Sequence, residues 1–158
     1  MSENSKVEVC IRQASTKDIR ALTSLANQLG YDVSFEEIEQ RFNEITKLTN
    51  HIIYVAEIMD ENVVGWIHIS IRNSLTTALQ AEIGGFIVDE RHRKSGIGKL
   101  LVQQAEQWAQ DNGCKSVYLR SNIIRKDAHI FYQKAGYKNI KTQFAFRKML
   151  PSHLPTVM

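Results

Sequence analysis

Four Lys or Arg side chains and two glycines lie between two apolar segments near the middle of the chain. The centre of this stretch reads Arg93, Lys94, Ser95, Gly96, Ile97, Gly98 and Lys99. The apolar run before it predicts a strand, and the apolar spacing after it predicts a helix. A helix start exposes unpaired N–H groups, and glycines there let a bulky anion approach the main chain. The stretch is therefore a candidate diphosphate site, although a plain tight turn would also use G-x-G.

Two common phosphate-binding motifs do not match this turn. A P-loop ending at Gly98-Lys99 would need a glycine at position 93, where the chain has Arg93. A dinucleotide-binding fingerprint would need a third glycine at position 101, where the chain has Leu101. If the turn binds phosphate, it does so with a different sequence motif from these two.

The surrounding elements predict one mixed α/β domain. Capping boxes at Ser15/Asp18 and Ser34/Glu37 predict two helices after a first strand, and Asn112-Gly113 ends the helix that follows the turn. The expected order is β-α-α-β-β-β-α-β-α-β-β, with residues 80–121 as a parallel crossover. The last two expected strands are "YKNIK" and "QFAFRKML". The domain is expected to span residues 1–150, with a loose tail at 151–158.

Composition limits the kinds of partner. The net charge is only +3, with 20 Lys+Arg beside 17 Asp+Glu, so no broad basic stripe for nucleic acid is expected. No apolar run is long enough to cross a bilayer, and the N-terminus lacks a signal-peptide pattern, so a cytoplasmic protein without a membrane partner is expected. Cys10 and Cys114 stand far apart and outside any Cys/His cluster, which predicts free thiols and no metal site.

The segment from Arg93 to Gly98 fits the pattern Q/R-x-x-G-x-G/A and resembles the GCN5-related N-acetyltransferases (GNAT). The likeness continues through "GFIVDERHRKSGIGKLLVQQAEQWAQDNGC" and "VYLRSNIIRKDAHIFYQKAGYK", and it extends from Val7 to Leu150. It implies a mixed, mostly antiparallel sheet of about seven strands. Helices would cover both faces, and strands four and five would splay apart.

The resemblance also implies acetyl coenzyme A as co-substrate. Main-chain N–H groups of the turn from Arg93 to Lys99 would hold its pyrophosphate. The pantetheine arm would lie along the strand residues Phe86, Ile87 and Val88. Asn122 stands where the family often contacts that arm, although a polar residue ending a strand is an equally good explanation.

Two residues are candidates for the proton chemistry of acetyl transfer. Tyr132 occupies the family's "F-Y" position, and its phenol is expected to protonate the leaving sulfur; the alternative is a ring packed on the sheet. Glu82 is the candidate base, directly or through water; the alternative is a solvent-facing strand end. His68 and His129 are weaker candidates.

The acceptor is expected to be the primary amine of a small molecule. Tyr31 and Asp32 could bind an amine, or merely form the turn between two helices. A narrower likeness to aminoalkylphosphonate acetyltransferases suggests an amine with an anionic group. Its counter-charges would come from Arg120, Arg125, Lys126 and Lys141, although the co-substrate's own phosphates compete for these residues. Alternatives are a protein acetyltransferase, acting on lysines or N-termini, and a non-catalytic coenzyme A-binding regulatory module. A homodimer is expected, because the last strands offer an uncovered sheet edge.

Overall fold

A computed structural model of the chain describes residues 8–59 and 62–152. Its contacts divide into two compact units, one ending at Asn122 and one beginning at Ile123. The elements are β1 (Val9–Gln13), α1 (Ile19–Gln28), α2 (Phe35–Thr46), β2 (His51–Ile58), β3 (Asn62–Arg72), β4 (Gln80–Val88), α3 (Ile97–Asp111), β5 (Ser116–Leu119) and α4 (Lys126–Lys134).

The first unit is built on one mixed sheet in the order β1-β2-β3-β4-β5. The first four strands pair antiparallel, and β4 and β5 pair parallel. Helix α3 forms the connection between the two parallel strands, as the sequence predicts for residues 80–121.

Helices cover both faces of this sheet. Leu22 of α1 and Phe42 of α2 share a buried cluster with Val55 of β2, and Trp66 of β3 packs against it. The neighbouring Gly65 lies against Leu101 of α3, since an added Cβ would come within 3.1 Å of the leucine Cδ1. Successive residues of a strand point to opposite faces, so α3 packs opposite α1 and α2.

The helix starts follow the predicted caps. Ser34 and Glu37 form a reciprocal capping box: the Glu37 N–H donates to Ser34 Oγ at 3.1 Å, and the Ser34 N–H donates to Glu37 Oε1 at 3.2 Å. The Ser15 N–H donates to the Asp18 carboxylate at 2.8 Å. Arg12 adds two hydrogen bonds to the same buried carboxylate at 2.7 and 2.8 Å. Burial raises the pKa of Asp18, but the bonds from Arg12 and Ser15 outweigh burial and leave it below its usual value.

The second unit contains α4 but no strand among its described residues. The prediction of about seven strands is therefore wrong; the described chain forms five. The stretch from 138 to 152 is exposed throughout and has no regular secondary structure. Its alternating pattern is typical of a strand, but a strand also needs a partner in backbone pairing, and the sequence pattern does not provide one. Of the expected tail, residues 153–158 lie outside the described part of the chain.

The two cysteines of the chain do not form a disulfide. Cys10 and Cys114 are both free thiols, and Cys10 is exposed rather than part of the core. Burial raises the pKa of the Cys114 thiol. Across residues 8–59 and 62–152, no group of three or more His, Cys, Asp or Glu side chains is placed to hold a metal ion. Within the same residues, no helix is long and apolar enough to cross a membrane.

Candidate active site

Strand β4 extends beyond the end of its parallel neighbour. The two strands are in register from Gln80, opposite Ser116, to Ile83, opposite Leu119. β5 ends there, whereas β4 continues through Gly84–Val88. A strand that continues past its neighbour can accept an extended ligand at the opening, in the manner of an added strand.

A bulge lies in β4 at the point where β5 ends. His68 of β3 faces Gly85, but the next pair joins Ile69 to Ile83, so Gly84 is the extra residue. Gly85 allows the Trp66 ring to lie against β4, because an added Cβ would stand 2.6 Å from the Trp66 Cζ3. The Trp66 Nε1 is buried and has no hydrogen-bond acceptor among the described residues. Bulges often occur beside functional sites, where they redirect side chains.

The basic glycine turn joins β4 to α3. Lys94 and Gly96 both have left-handed backbone, with φ of 63° and 87°. Gly96 is the N-cap of α3, and an added Cβ there would meet nothing within 4 Å. The space beside Gly96 is therefore open, and the first N–H groups of a helix have no partner within the helix, which is the arrangement that an anion cradle requires. Ile97 is buried and anchors the helix start, so only its main chain can contribute to this cradle.

Hydrogen bonds fix the turn at its beginning. The Asp89 carboxylate accepts from the Arg91 N–H at 2.9 Å, and the Glu90 N–H donates to Gln28 Oε1 of α1 at 2.9 Å. The Arg93 Nε–H donates to the Val88 carbonyl at 3.3 Å. Burial raises the pKa of Asp89, but the hydrogen bonds and charge of Arg91 leave it below its usual value. These hydrogen bonds hold the beginning of the turn in place.

Glu82 lies near the other end of β4, between two arginines. Its Oε2 is 3.5 Å from Arg72 Nη1, and its Oε1 is 3.4 Å from Arg120 Nε. The Glu82 side chain is 18% exposed, against 50% for Arg72 and 71% for Arg120. The Arg72 guanidinium also lies over the Tyr118 ring, 5.9 Å from its centroid. Glu82 is therefore partly buried, and both of its oxygens face cations.

Two histidines are in contact on the neighbouring strands. His51 Nδ1 and His68 Nε2 are 2.9 Å apart, and their rings are stacked with centroids 5.1 Å apart. Burial, and secondarily the charge of His51, lowers the pKa of His68 to about 4. The His68 Nδ1 lies 3.6 Å from where a Cβ on Gly84 would stand. A neutral imidazole thus borders the bulge.

The predicted site residues fall at different places in the two units. The turn from Arg93 to Lys99 and Glu82 lie towards opposite ends of β4, and Asn122 is the last residue of the first unit. Tyr132 lies on α4 of the second unit, where its ring makes edge contacts with Phe131 and Tyr137 at 5.6 and 6.1 Å. His129 lies on the same helix.

Sequence reasoning missed Arg72 and His51. Arg72 ends the strand "VVGWIHISIR", and its nearness to Glu82 follows from the register that pairs Ser70 with Glu82. His51 meets His68 through the register of β2 and β3. Alternation along β3 places His68, Ser70 and Arg72 on one face of the sheet, and this much can be read from the sequence. Which residues of β2 and β4 lie beside them depends on the register between strands, which the sequence does not show.

Comparisons with known proteins agree with this architecture. The model of the Acetyltransferase (GNAT) family matches residues 17–137. An aminoalkylphosphonate N-acetyltransferase of Salmonella typhimurium is 30% identical over 145 residues, which cover 90% of this chain and 92% of the relative. An aminoglycoside N(6')-acetyltransferase type 1 of Stenotrophomonas maltophilia is 24% identical over 146 residues, which cover 89% and 93%.

A solved structure shows the same fold. The aminoglycoside N-acetyltransferase AAC(6')-Iy in complex with CoA matches with a TM-score of 0.84 at 18% identity, over 93% of this chain and 99% of that one. At this identity the likeness speaks for the fold alone. The family model, however, spans more than half of the chain and includes the basic glycine turn. The resemblance noted in the sequence is confirmed, and the chain belongs to the acetyltransferase (GNAT) family.

Proposed function

We propose that the protein acetylates the primary amine of a small molecule by direct transfer from acetyl coenzyme A. Family membership supplies the reaction class and the co-substrate. The observation that carries the proposal is the continuation of β4 past β5 towards a turn with left-handed backbone at Lys94 and Gly96. This arrangement suits a ligand with an extended arm and a diphosphate.

The main chain of the turn is proposed to hold the diphosphate. The residues concerned are Arg93, Lys94, Ser95, Gly96, Ile97, Gly98 and Lys99, through the N–H groups at the start of α3 and the positive charge around them. Phe86, Ile87 and Val88 would bind the pantetheine amides along β4, with Asn122 contacting the same arm. The bound co-substrate supplies an activated acetyl group as a thioester.

The chain's own residues are proposed to move two protons. Glu82 takes the proton that the attacking amine loses, directly or through a water molecule. The Tyr132 hydroxyl gives a proton to the departing sulfur. A phenol has a pKa of about 10 and is therefore protonated at neutral pH, so it is available to give its proton to the sulfur as the carbon–sulfur bond breaks.

Two measurements test this function. Calorimetry should show binding of acetyl coenzyme A and no binding of NADH. Thiol release from acetyl coenzyme A should then accelerate on addition of at least one member of a panel of small primary amines. Binding of NADH without binding of acetyl coenzyme A would overturn the proposal.

The same assay separates the alternatives. Thiol release with lysine-bearing peptides or peptide N-termini, but not with small amines, would indicate a protein acetyltransferase. Tight binding of acetyl coenzyme A without release of thiol to any amine would indicate a non-catalytic binding module.

A further inference from the structure

We propose that Arg72 and Arg120 bind the anionic group of the acceptor, so that the acceptor is a small primary amine carrying a phosphonate, phosphate or carboxylate. This inference rests on the proposed function, since it names the class of amine that the acetyl group reaches. It adds to that function a binding site built around Glu82.

One carboxylate holds both guanidinium groups. Arg120 approaches Glu82 Oε1 at 3.4 Å and Arg72 approaches Oε2 at 3.5 Å. These contacts use one nitrogen of each guanidinium, whereas each group has five N–H donors in a planar fork. Two positive charges against one negative charge leave an excess of one positive charge among the three residues. The cluster is therefore suited to an incoming anion that bridges the two arginines.

Stability of the fold does not account for the cluster. Both arginine side chains are at least half exposed, so solvent screens their pairing with the partly buried Glu82 and weakens its contribution to folding. Neither contact is a short, well-formed hydrogen bond, since bonds of an arginine to a carboxylate are usually about 2.7–2.9 Å. The pairs keep the guanidiniums near Glu82 without tying up their remaining donors.

The diphosphate of the co-substrate does not account for the arginines either. Six residue steps along β4 separate Glu82 from Val88, which at about 3.3 Å per residue is about 20 Å. The glycine turn lies beyond Val88, so Arg72 and Arg120 stand at the opposite end of the strand from the diphosphate cradle.

The position of the two arginines along β4 fits the end of the site where the acceptor would bind. Glu82 is the third residue of β4 and lies just before the bulge at Gly84, where β5 ends. Two residue steps correspond to about 7 Å, so an anion at the arginines would place an amine on a short carbon chain near the bulge. His68 borders the same bulge and is neutral at physiological pH, so it adds no repulsion towards an amine.

The charge also distinguishes two kinds of acceptor. The two relatives described above act, by their names, on aminoalkylphosphonates and on aminoglycosides. An excess positive charge beside the reacting amine disfavours an acceptor with several ammonium groups and favours one with an anion. The arginine cluster therefore favours the anionic amine.

Binding to the protein loaded with coenzyme A provides the test, with 2-aminoethylphosphonate and 3-aminopropanoic acid as probes. Calorimetry should detect at least one of them. Arg72→Gln and Arg120→Gln should each weaken that binding by about 10- to 100-fold, as expected for the loss of hydrogen bonds to a charged group. Arg41→Gln is the matched control, because the Arg41 side chain is similarly exposed, at 55%, and also pairs with a carboxylate, that of Glu37 on α2. It should leave the affinity unchanged.

Turnover distinguishes this inference from the proposed function. The bound probe should be acetylated faster than propylamine, and the arginine variants should lose that preference through a higher KM while still acetylating propylamine. If acetyl coenzyme A binds and propylamine is the better substrate in every variant, the anion site is refuted and the acetyltransferase stands. Absence of binding by both probes, binding without acetylation, or a preference for a polyamine would each overturn the inference. Failure to bind acetyl coenzyme A would instead overturn the proposed function.

Discussion

Single residues determine the chemistry of this site, and only some of them could be identified from the sequence. Gly96 could be predicted, because a glycine at a helix start after basic residues indicates a special turn, and its φ of 87° agrees. The cluster around Glu82 could not be predicted. Its partners Arg72 and Arg120 are 10 and 38 positions away in sequence, and they meet only through the register of β3, β4 and β5.

Tyr132 is open to a test that separates catalysis from packing. If its hydroxyl protonates the leaving sulfur, Tyr132→Phe keeps the ring contacts and removes the proton. The single-turnover rate of acetyl transfer should then fall by roughly 10²–10⁴-fold, with little change in the affinity for acetyl coenzyme A. Tyr137→Phe is the control, because Tyr137 belongs to the same ring cluster on the second unit. An unchanged transfer rate in Tyr132→Phe would remove Tyr132 from the mechanism.

The cradle at Gly96 is open to a second test. Gly96→Asp should abolish binding of acetyl coenzyme A in calorimetry, because it places a side chain and a negative charge at the diphosphate. Lys94→Ala should weaken binding much less, since an exposed, screened charge contributes little.

Gly113→Asp provides the control for backbone strain. Gly113 follows the other end of α3 with φ of 80°, and an added Cβ there would also meet nothing within 4 Å. Both substitutions force a side chain into the left-handed region, at about 1–2 kcal/mol. Both should therefore lower the melting temperature, but only Gly96→Asp should lose the ligand. Equal loss of affinity in Gly96→Asp and Lys94→Ala would show that the main-chain cradle is wrong.

At the scale of elements, the sequence predicts correctly those features that depend on contacts between residues close together in the chain. The capping box of Ser34 and Glu37 spans one helical turn, and the structure has it as predicted. The prediction of the last two strands is wrong, because an alternating sequence does not show whether a partner strand is present. The contact of His51 with His68 also lies beyond local reasoning, since it depends on how β2 registers with β3.

The pairing of β2 with β3 predicts a pH dependence of stability. Burial and the charge of His51 lower the pKa of His68 from 6.5 to about 4. Between these values the unfolded chain binds more protons than the folded chain, so stability falls as the pH drops from about 6.5 towards 4. Above pH 6.5 this residue contributes no slope, because both states are neutral.

Urea denaturation at pH 7, 5.5 and 4.5 measures this effect. The His68→Gln variant should lose less stability than the wild type between pH 7 and 4.5, because it removes the group that resists protonation. His129→Gln, which removes a histidine of α4 instead, is the control. Identical slopes in His68→Gln and the wild type would contradict the burial of a neutral His68.

At the scale of the whole molecule, the chain leaves apolar side chains exposed after α4. Ile140, Phe144, Phe146, Met149 and Leu150 are 71–94% exposed in the second unit. The Phe144 and Phe146 rings lie 6.4 Å apart between centroids, and monomeric proteins rarely leave large apolar patches in water. Phe144 and Phe146 are two residues apart, which is the spacing of one face of a strand. This segment was predicted as a strand from that spacing, and a strand needs a partner to form.

We therefore expect a homodimer in which a second copy covers this segment. Light scattering after size exclusion should give twice the chain mass of 18.1 kDa. The double change Phe144→Ser and Phe146→Ser removes the apolar face and should shift the mass to that of a monomer. Leu75→Ser is the control, because Leu75 is fully exposed in the first unit and lies outside the segment. A monomer mass for the wild type at working concentration would refute the dimer. A dimer that survives the double change would place the interface elsewhere.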